Sequence, residues 1–203
     1  MNDLDQTYRE MLLVPCETKE HFDLWLKTYL GVSLATQKVS RFATTCPLDA
    51  AWEIYSFCMS DEHDEPLRTM LIASRASQKT LLLAAVEAAV ILHDRRDTLH
   101  FAGSKTQAST GFSYLSKFLQ KPYIRDLIVG QPSKEKITLA IPHYKTKDIR
   151  EVSAEVLSIT PLSVQSKHVS FVSVDELLTL ENDKRRAYTV SYTHLRAHET
   201  PEH

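Results

Sequence analysis

The stretch IASRASQKTLLL, residues 72 to 83, decides the fold class of this chain. Residues 74 to 78, four of which are polar, stand between a short apolar run and a long apolar helix pattern. A turn from a buried strand into a helix is typical of α/β proteins with helices packed on a parallel sheet. The turn ends in Lys79 and Thr80, as phosphate-binding loops do, but it lacks their glycines. It is therefore either a nucleotide site or an ordinary strand-to-helix turn.

Strand and helix patterns alternate around this turn. TMLIAS (69 to 74) and TLHFAGS (98 to 104) have the short apolar character of buried parallel strands. QKTLLLAAVEAAVILH (78 to 93) is apolar on nearly all sides, and TGFSYLSKFL (110 to 119) has one apolar helical face. Strand, helix, strand, helix predicts a doubly wound, mostly parallel sheet flanked by helices.

The second half of the chain is β-rich. KITLAIPHY (136 to 144) and REVSAEVLSIT (150 to 160) are strand-like, and the proline and KTKD segment between them predict an antiparallel excursion. HVSFVSVDELL (168 to 178) supplies another apolar strand, which ends in the acids Asp175 and Glu176.

The first third of the chain reads as helical. KEHFDLWLKTYL (19 to 30) and PLDAAWEIYSF (47 to 57) carry apolar residues at helical spacing, and the acidic tract SDEHDEP (60 to 66) marks a loop after them. The expected organisation is an N-terminal helical segment, residues 1 to 65, followed by an α/β core, residues 66 to 189.

The last residues match neither pattern. VSYTHLRAHET, residues 190 to 200, resembles the read-through translation of a sequencing-library adapter over eleven consecutive positions. Residues 190 to 203 are therefore expected to be a non-native tail, with the natural protein interrupted near Thr189. His194 and His198 have metal-like spacing, but they lie in this tail and are assigned no function.

Composition bounds the protein's class. A chain of 203 residues that is 43% hydrophobic can bury a core as one domain, and its net charge of −2 gives no basic field for nucleic acid. Any DNA contact must therefore be local. The three cysteines, Cys16, Cys46 and Cys58, lack metal-ligand spacing and fit a reducing compartment. The acidic N-terminus and the absence of a membrane-length apolar run predict an intracellular, soluble protein.

Two distant motifs point to the same chemistry. Phosphate binding at a strand-to-helix turn uses a helix N-terminus, a lysine for the phosphates and a hydroxyl for magnesium, which Lys79 and Thr80 can provide. Gln78 replaces the glycine that normally precedes this lysine. Asp175 and Glu176 follow a strand, as the metal-binding acid and the water-orienting acid of such ATPases do. The alternatives are a capped helix start and a solvated acidic turn.

At these residues the chain resembles the N-terminal ATPase domain of the large terminase subunit of tailed bacteriophages. The loop of that family has an arginine after a Ser or Ala and ends in Lys-Thr or Lys-Ser, and SRASQKT (74 to 80) matches it better than the glycine-rich form. The resemblance extends through CPLDAAWEIYSF (46 to 57), GSKTQASTGFSYL (103 to 115) and HVSFVSVDEL (168 to 177). It covers roughly Trp25 to Tyr188.

The resemblance implies a P-loop NTPase-like fold, in which residues 66 to 189 form an incomplete P-loop ATPase core, with ATP and Mg²⁺ as ligands. Lys79 would hold the β and γ phosphates, Thr80 and Asp175 would hold the metal, and Glu176 would polarise the hydrolytic water. Arg75, which sits where a helix dipole disfavours a cation, would stabilise the γ phosphate as a second catalytic residue. The implied ATP-binding residues are Ser74, Arg75, Ala76, Ser77, Gln78, Lys79 and Thr80.

The resemblance also implies a motor that drives double-stranded DNA into the prohead. Family members work as a homo-oligomeric ring with the portal protein and a small terminase subunit, in the host cytoplasm and transiently at the portal vertex. Their C-terminal nuclease is not expected within this chain. Two other hypotheses stay open: a helicase-like P-loop ATPase acting on nucleic acid, and a non-hydrolysing α/β binding module whose loop Gln78 has disabled.

Other residues carry weaker signals. Gln107 is either a polar residue of the motor or part of a helix cap. Trp52 and Tyr55 either stack on adenine or, as their helical spacing favours, pack in the core. The lysines of residues 131 to 139 and 143 to 150 either line a DNA path or belong to solvated faces.

Overall fold

The fold is that of a computed structural model, which describes residues 3–38, 41, 43–60, 78–102, 105–158 and 171–175. Three sequence predictions lie outside these residues: the strand at 69 to 74, most of the acidic loop at 60 to 66, and the tail at 190 to 203.

Helices dominate the first half of the described chain and strands the second. The helices are α1 (Asp3–Leu12), α2 (Lys19–Trp25), α3 (Pro47–Cys58), α4 (Lys79–Asp94) and α5 (Lys105–Leu119), with a π-helical turn at Leu26–Leu30 and a 3-10 turn at Arg125–Leu127. The strands are β1 (Thr98–Ala102), β2 (Lys136–Pro142), β3 (Ile149–Ser158) and β4 (Phe171–Asp175).

The N-terminal helices form where their caps and apolar faces predict them. Thr18 caps α2 by accepting a hydrogen bond from the His21 backbone N–H, and Gly31 ends the π-helical turn in the left-handed region, at φ 67°. Pro47 opens α3 at a first-turn position, where it costs no hydrogen bond. The predicted apolar face of residues 19 to 30 is confirmed, since its members are all buried: Phe22, Trp25, Leu26, Tyr29 and Leu30.

The described strands form one sheet in the order β2-β3-β1-β4. β1 pairs in parallel with both β3 and β4, whereas β2 pairs antiparallel to β3. The predicted mostly parallel sheet and the antiparallel excursion are both confirmed.

Helices α4 and α5 lie against the sheet face that carries His100. Glu87 of α4 is within ion-pair distance of the His100 ring, and Gly111 of α5 packs against the same ring. Leu99 and Phe101 occupy the alternate positions of β1 and are buried as well. The mixed α/β class with a helix-flanked sheet is confirmed, while the doubly wound topology and the P-loop NTPase fold stay predictions.

A buried polar network fastens the N-terminal segment to α4. The Tyr55 hydroxyl accepts a hydrogen bond from the Cys16 backbone N–H and lies 2.7 Å from His93 Nδ1. Its one hydrogen is therefore free to be donated to Nδ1, which places the ring proton on Nε2. That nitrogen lies 3.1 Å from the Leu12 carbonyl oxygen, which accepts from it. Neutral His93 is thus fully hydrogen-bonded, and the helical segment and the sheet region share one continuous core.

Two expectations drawn from composition can be compared with the fold. All three cysteines are among the described residues, and each is a free thiol. Over the described part of the chain, no helix combines the length and the apolar character needed to cross a bilayer.

Candidate functional site at one edge of the sheet

The lysine and threonine of the sequence motif open helix α4. Lys79 is the first residue of the helix, Thr80 is the second, and both are half-buried. The first backbone N–H groups of a helix have no partner inside it, and the helix dipole places partial positive charge there. This end of α4 can therefore receive an anion.

The strand-end acid terminates the strand next to β1. Asp175 is the last residue of β4 and pairs with Ala102, the last residue of β1. Because β1 and β4 are parallel, their carboxyl ends form one edge of the sheet.

The path of the chain brings the start of α4 to that same edge. Only residues 95 to 97 separate the end of α4 from the start of β1, so the helix must run back antiparallel to the strand it packs on. Near the middle of both elements, Ser173 of β4 donates a 3.1 Å hydrogen bond to Glu87 of α4. Lys79 lies about 12 Å further along the helix axis, toward the edge that ends in Asp175. Lys79 and Asp175 therefore belong to one edge of the sheet.

Five of the predicted site residues cannot be located. Ser74, Arg75, Ala76, Ser77 and Glu176 lie outside the residues that the structure describes. Their predicted roles stay predictions.

Gln78 adopts the backbone conformation that glycine favours. Its φ of 62° and ψ of 13° lie in the left-handed region, at the position where phosphate-binding loops normally carry a glycine. Its side chain reaches the N-terminal segment, where Oε1 accepts a 3.3 Å hydrogen bond from the Ala35 backbone N–H. Gln78 thus departs from the family pattern in side chain while keeping a glycine-like turn.

Replacing Gln78 by glycine and by alanine tests this conformation. Both variants lose the hydrogen bond to Ala35, but only alanine has a Cβ that opposes a positive φ. We expect Gln78→Gly to be more stable than Gln78→Ala by about 1 kcal/mol in urea unfolding. Equal stabilities, or a more stable alanine variant, would contradict the left-handed turn.

A buried polar cluster lies beneath this edge and was not predicted from the sequence. Glu87, His100 and Ser173 come from α4, β1 and β4, and each is at most 4% exposed. Because the Ser173 hydroxyl donates its one hydrogen to Glu87, His100 must donate to Ser173 through Nδ1, across 2.7 Å. The cluster fixes the position of α4 along the direction of β4. One signal was present in the sequence: Glu87 is the lone acid in the otherwise apolar middle of a helix.

Gly111 is the point where α5 comes closest to this cluster. A Cβ added there would overlap the ring of His100, which its bond to Ser173 holds in place. Gly→Ala in a helix ordinarily stabilises by about 1 kcal/mol. We expect Gly111→Ala instead to destabilise by about 1–3 kcal/mol through overpacking. Urea unfolding measures this change in the free energy of unfolding, with Ser113→Ala on the same helix as the control. A Gly111→Ala variant that is more stable than the parent would show that α5 does not approach His100 this closely.

The aromatic residues upstream of the loop belong to the core. Tyr55 is fully buried and stacks on Phe22 with ring centroids 4.6 Å apart. Burial raises the pKa of its hydroxyl well above the usual range. Trp52 is half-buried against the same two rings. The core-packing interpretation of the two residues is therefore favoured over adenine stacking.

Comparison with known proteins adds no assignment to this geometry. No protein-family model matches the chain, and no curated protein is significantly similar to it.

Proposed function

We propose that this chain is a magnesium-dependent ATP hydrolase of the DNA-packaging motor type, as its resemblance to the large terminase ATPase domain implies. One observation carries the proposal. A Lys-Thr pair opens a helix directly after a residue in the left-handed conformation, at the sheet edge where Asp175 ends β4. Phosphate-binding turns need this combination of backbone shape, cation and nearby acid.

The side chains suit a phosphate group and a hard metal ion. Lys79 would bind the β and γ phosphate oxygens, next to the N–H groups of the first helical turn. Thr80 and Asp175 would supply the oxygen ligands that magnesium prefers. Magnesium, when bound, neutralises negative charge on the phosphates. Glu176 would orient the water, and Arg75 would stabilise charge on the γ phosphate.

The wider role follows from the same resemblance. The motor would act on double-stranded DNA as a homo-oligomeric ring, together with the portal protein and the small terminase subunit. Its place would be the cytoplasm of the infected host and, transiently, the portal vertex of the prohead.

Nucleotide binding by the whole chain tests the proposal. We expect saturable binding of a fluorescent ATP analogue that requires magnesium and is abolished by a chelator, together with phosphate release from ATP. Binding without hydrolysis would favour the non-hydrolysing binding module. No saturable binding would contradict the proposal.

A further inference from the structure

The turn between β2 and β3 concentrates positive charge. This segment, residues 143 to 150, is called the basic turn below, and its cations Lys145, Lys147 and Arg150 are all exposed. Its single acid, Asp148, pairs with Arg95 across 2.7 Å. Glu151, the next residue, is exposed, but strand alternation turns it to the face opposite Arg150. The basic turn is therefore a local cationic surface on a chain whose net charge is −2.

Hydrogen bonds within the basic turn fix its backbone, which carries these cations. His143 accepts from the Lys147 backbone N–H at 2.9 Å through its carbonyl and from the Thr146 backbone N–H at 3.1 Å through Nδ1. Its own backbone N–H donates to the Asp148 carbonyl at 2.8 Å. Lys147 has a φ of 62°, a strained conformation for a residue with a Cβ, which persists only where the surroundings impose it.

Arg95 fixes the basic turn to the end of α4. Its guanidinium donates to both the carbonyl oxygen and the carboxylate of Asp148. Hydrogen bonds, first from Arg95 and then from Thr146, lower the pKa of the Asp148 carboxyl to about 2. The negative charge of Asp148 is thereby neutralised by Arg95, and the basic turn keeps the positive charge of its three exposed cations.

We propose that the basic turn binds the phosphate backbone of double-stranded DNA. The choice of DNA as partner rests on the proposed function, and the kind of contact rests on the surface itself. A stable protein interface buries about 800 Å² on each partner around an apolar centre, and a turn of this size is too small for one. Phosphate contacts need only separate cationic donors, and a turn whose backbone is already ordered loses less entropy on binding.

The basic turn lies at the opposite edge of the sheet from Lys79. β3 is parallel to β1, so its first residue, Ile149, lies at the edge where β1 begins. Helix α4 runs between the two edges, with Lys79 at its start and Arg95 directly after its last residue. Its 16 residues span about 24 Å. The Arg95–Asp148 pair therefore joins the basic turn to the end of α4 that is opposite Lys79.

DNA binding by the whole chain, measured without nucleotide by fluorescence anisotropy across a salt titration, tests the proposal. The test variant combines Lys145→Gln, Lys147→Gln and Arg150→Gln. We expect it to bind a short duplex about tenfold or more weakly, with a salt dependence shallower by about 0.9 for each phosphate that is no longer neutralised. A control variant removes equal charge from exposed lysines elsewhere: Lys38→Gln, Lys117→Gln and Lys121→Gln.

Two outcomes would overturn the proposal: no duplex binding by the parent chain, or equally weakened binding in the test and control variants. Asp148→Asn adds a further criterion. If DNA binding needs the ordered backbone of the turn, this variant binds DNA more weakly although it loses a negative charge, whereas tighter binding would refute that requirement. Because no nucleotide is present, these results are independent of whether the chain binds ATP.

Discussion

Replacing Lys79 by alanine is expected to abolish magnesium-dependent ATP hydrolysis while leaving the fold intact. Lys79 is half-buried at the first position of α4, so its loss opens no core cavity. If its ammonium neutralises charge on the β and γ phosphates, removing it should lower kcat by about 10²-fold or more. Phosphate release at saturating ATP measures the effect.

Lys117→Ala is the matched control for Lys79→Ala. Lys117 is an exposed lysine in the last turn of α5, away from the start of α4. We expect it to retain the activity of the parent chain. If the two alanine variants hydrolyse ATP at the same rate, Lys79 has no role in the reaction and the inert α/β module becomes the better interpretation.

The second large effect is a loss of stability at mildly acidic pH. Burial lowers the pKa of His93 from 6.5 to about 3, because removing the ring from water penalises its charged form. Below pH 6.5 the unfolded chain binds a proton at His93 that the folded chain does not, so stability falls as pH falls. The expected slope approaches about 1.4 kcal/mol per pH unit, which gives about 2 kcal/mol between pH 6.5 and 5.

Urea unfolding of the parent and of His93→Gln at a series of pH values isolates this contribution. Glutamine can still accept from Tyr55 and donate to the Leu12 carbonyl, but it does not titrate. The difference in unfolding free energy between the two proteins should therefore shrink as pH falls from 6.5 to 5. A difference that stays constant over this range would contradict the buried neutral histidine.

Sequence periodicity predicted the parts of this fold that depend on local spacing. The buried face that includes Phe22 and Trp25 follows from helical spacing, and the end of that helical region follows from Gly31. β2 and β3 were similarly visible from their apolar runs and the polar turn between them.

The interactions that give the site its shape could not be predicted, because they join residues far apart in the chain. The Glu87, His100 and Ser173 cluster exists only once the register of β1 with β4 is set. The left-handed turn at Gln78 is accompanied by a hydrogen bond with Ala35, 43 positions earlier. A single sequence shows which residue types are present, but it does not show which of them contact one another in the fold.

The central claim is that the start of α4 and the end of β4 meet around one metal-bound triphosphate. Paramagnetic broadening by Mn²⁺ with ATP in the amide NMR spectrum of the labelled chain tests it most directly. The prediction is that Lys79, Thr80 and Asp175 lose their signals together, while the signal of Lys147, at the far edge, persists. Broadening confined to only one of the two segments, or spread equally to Lys147, would contradict the claim.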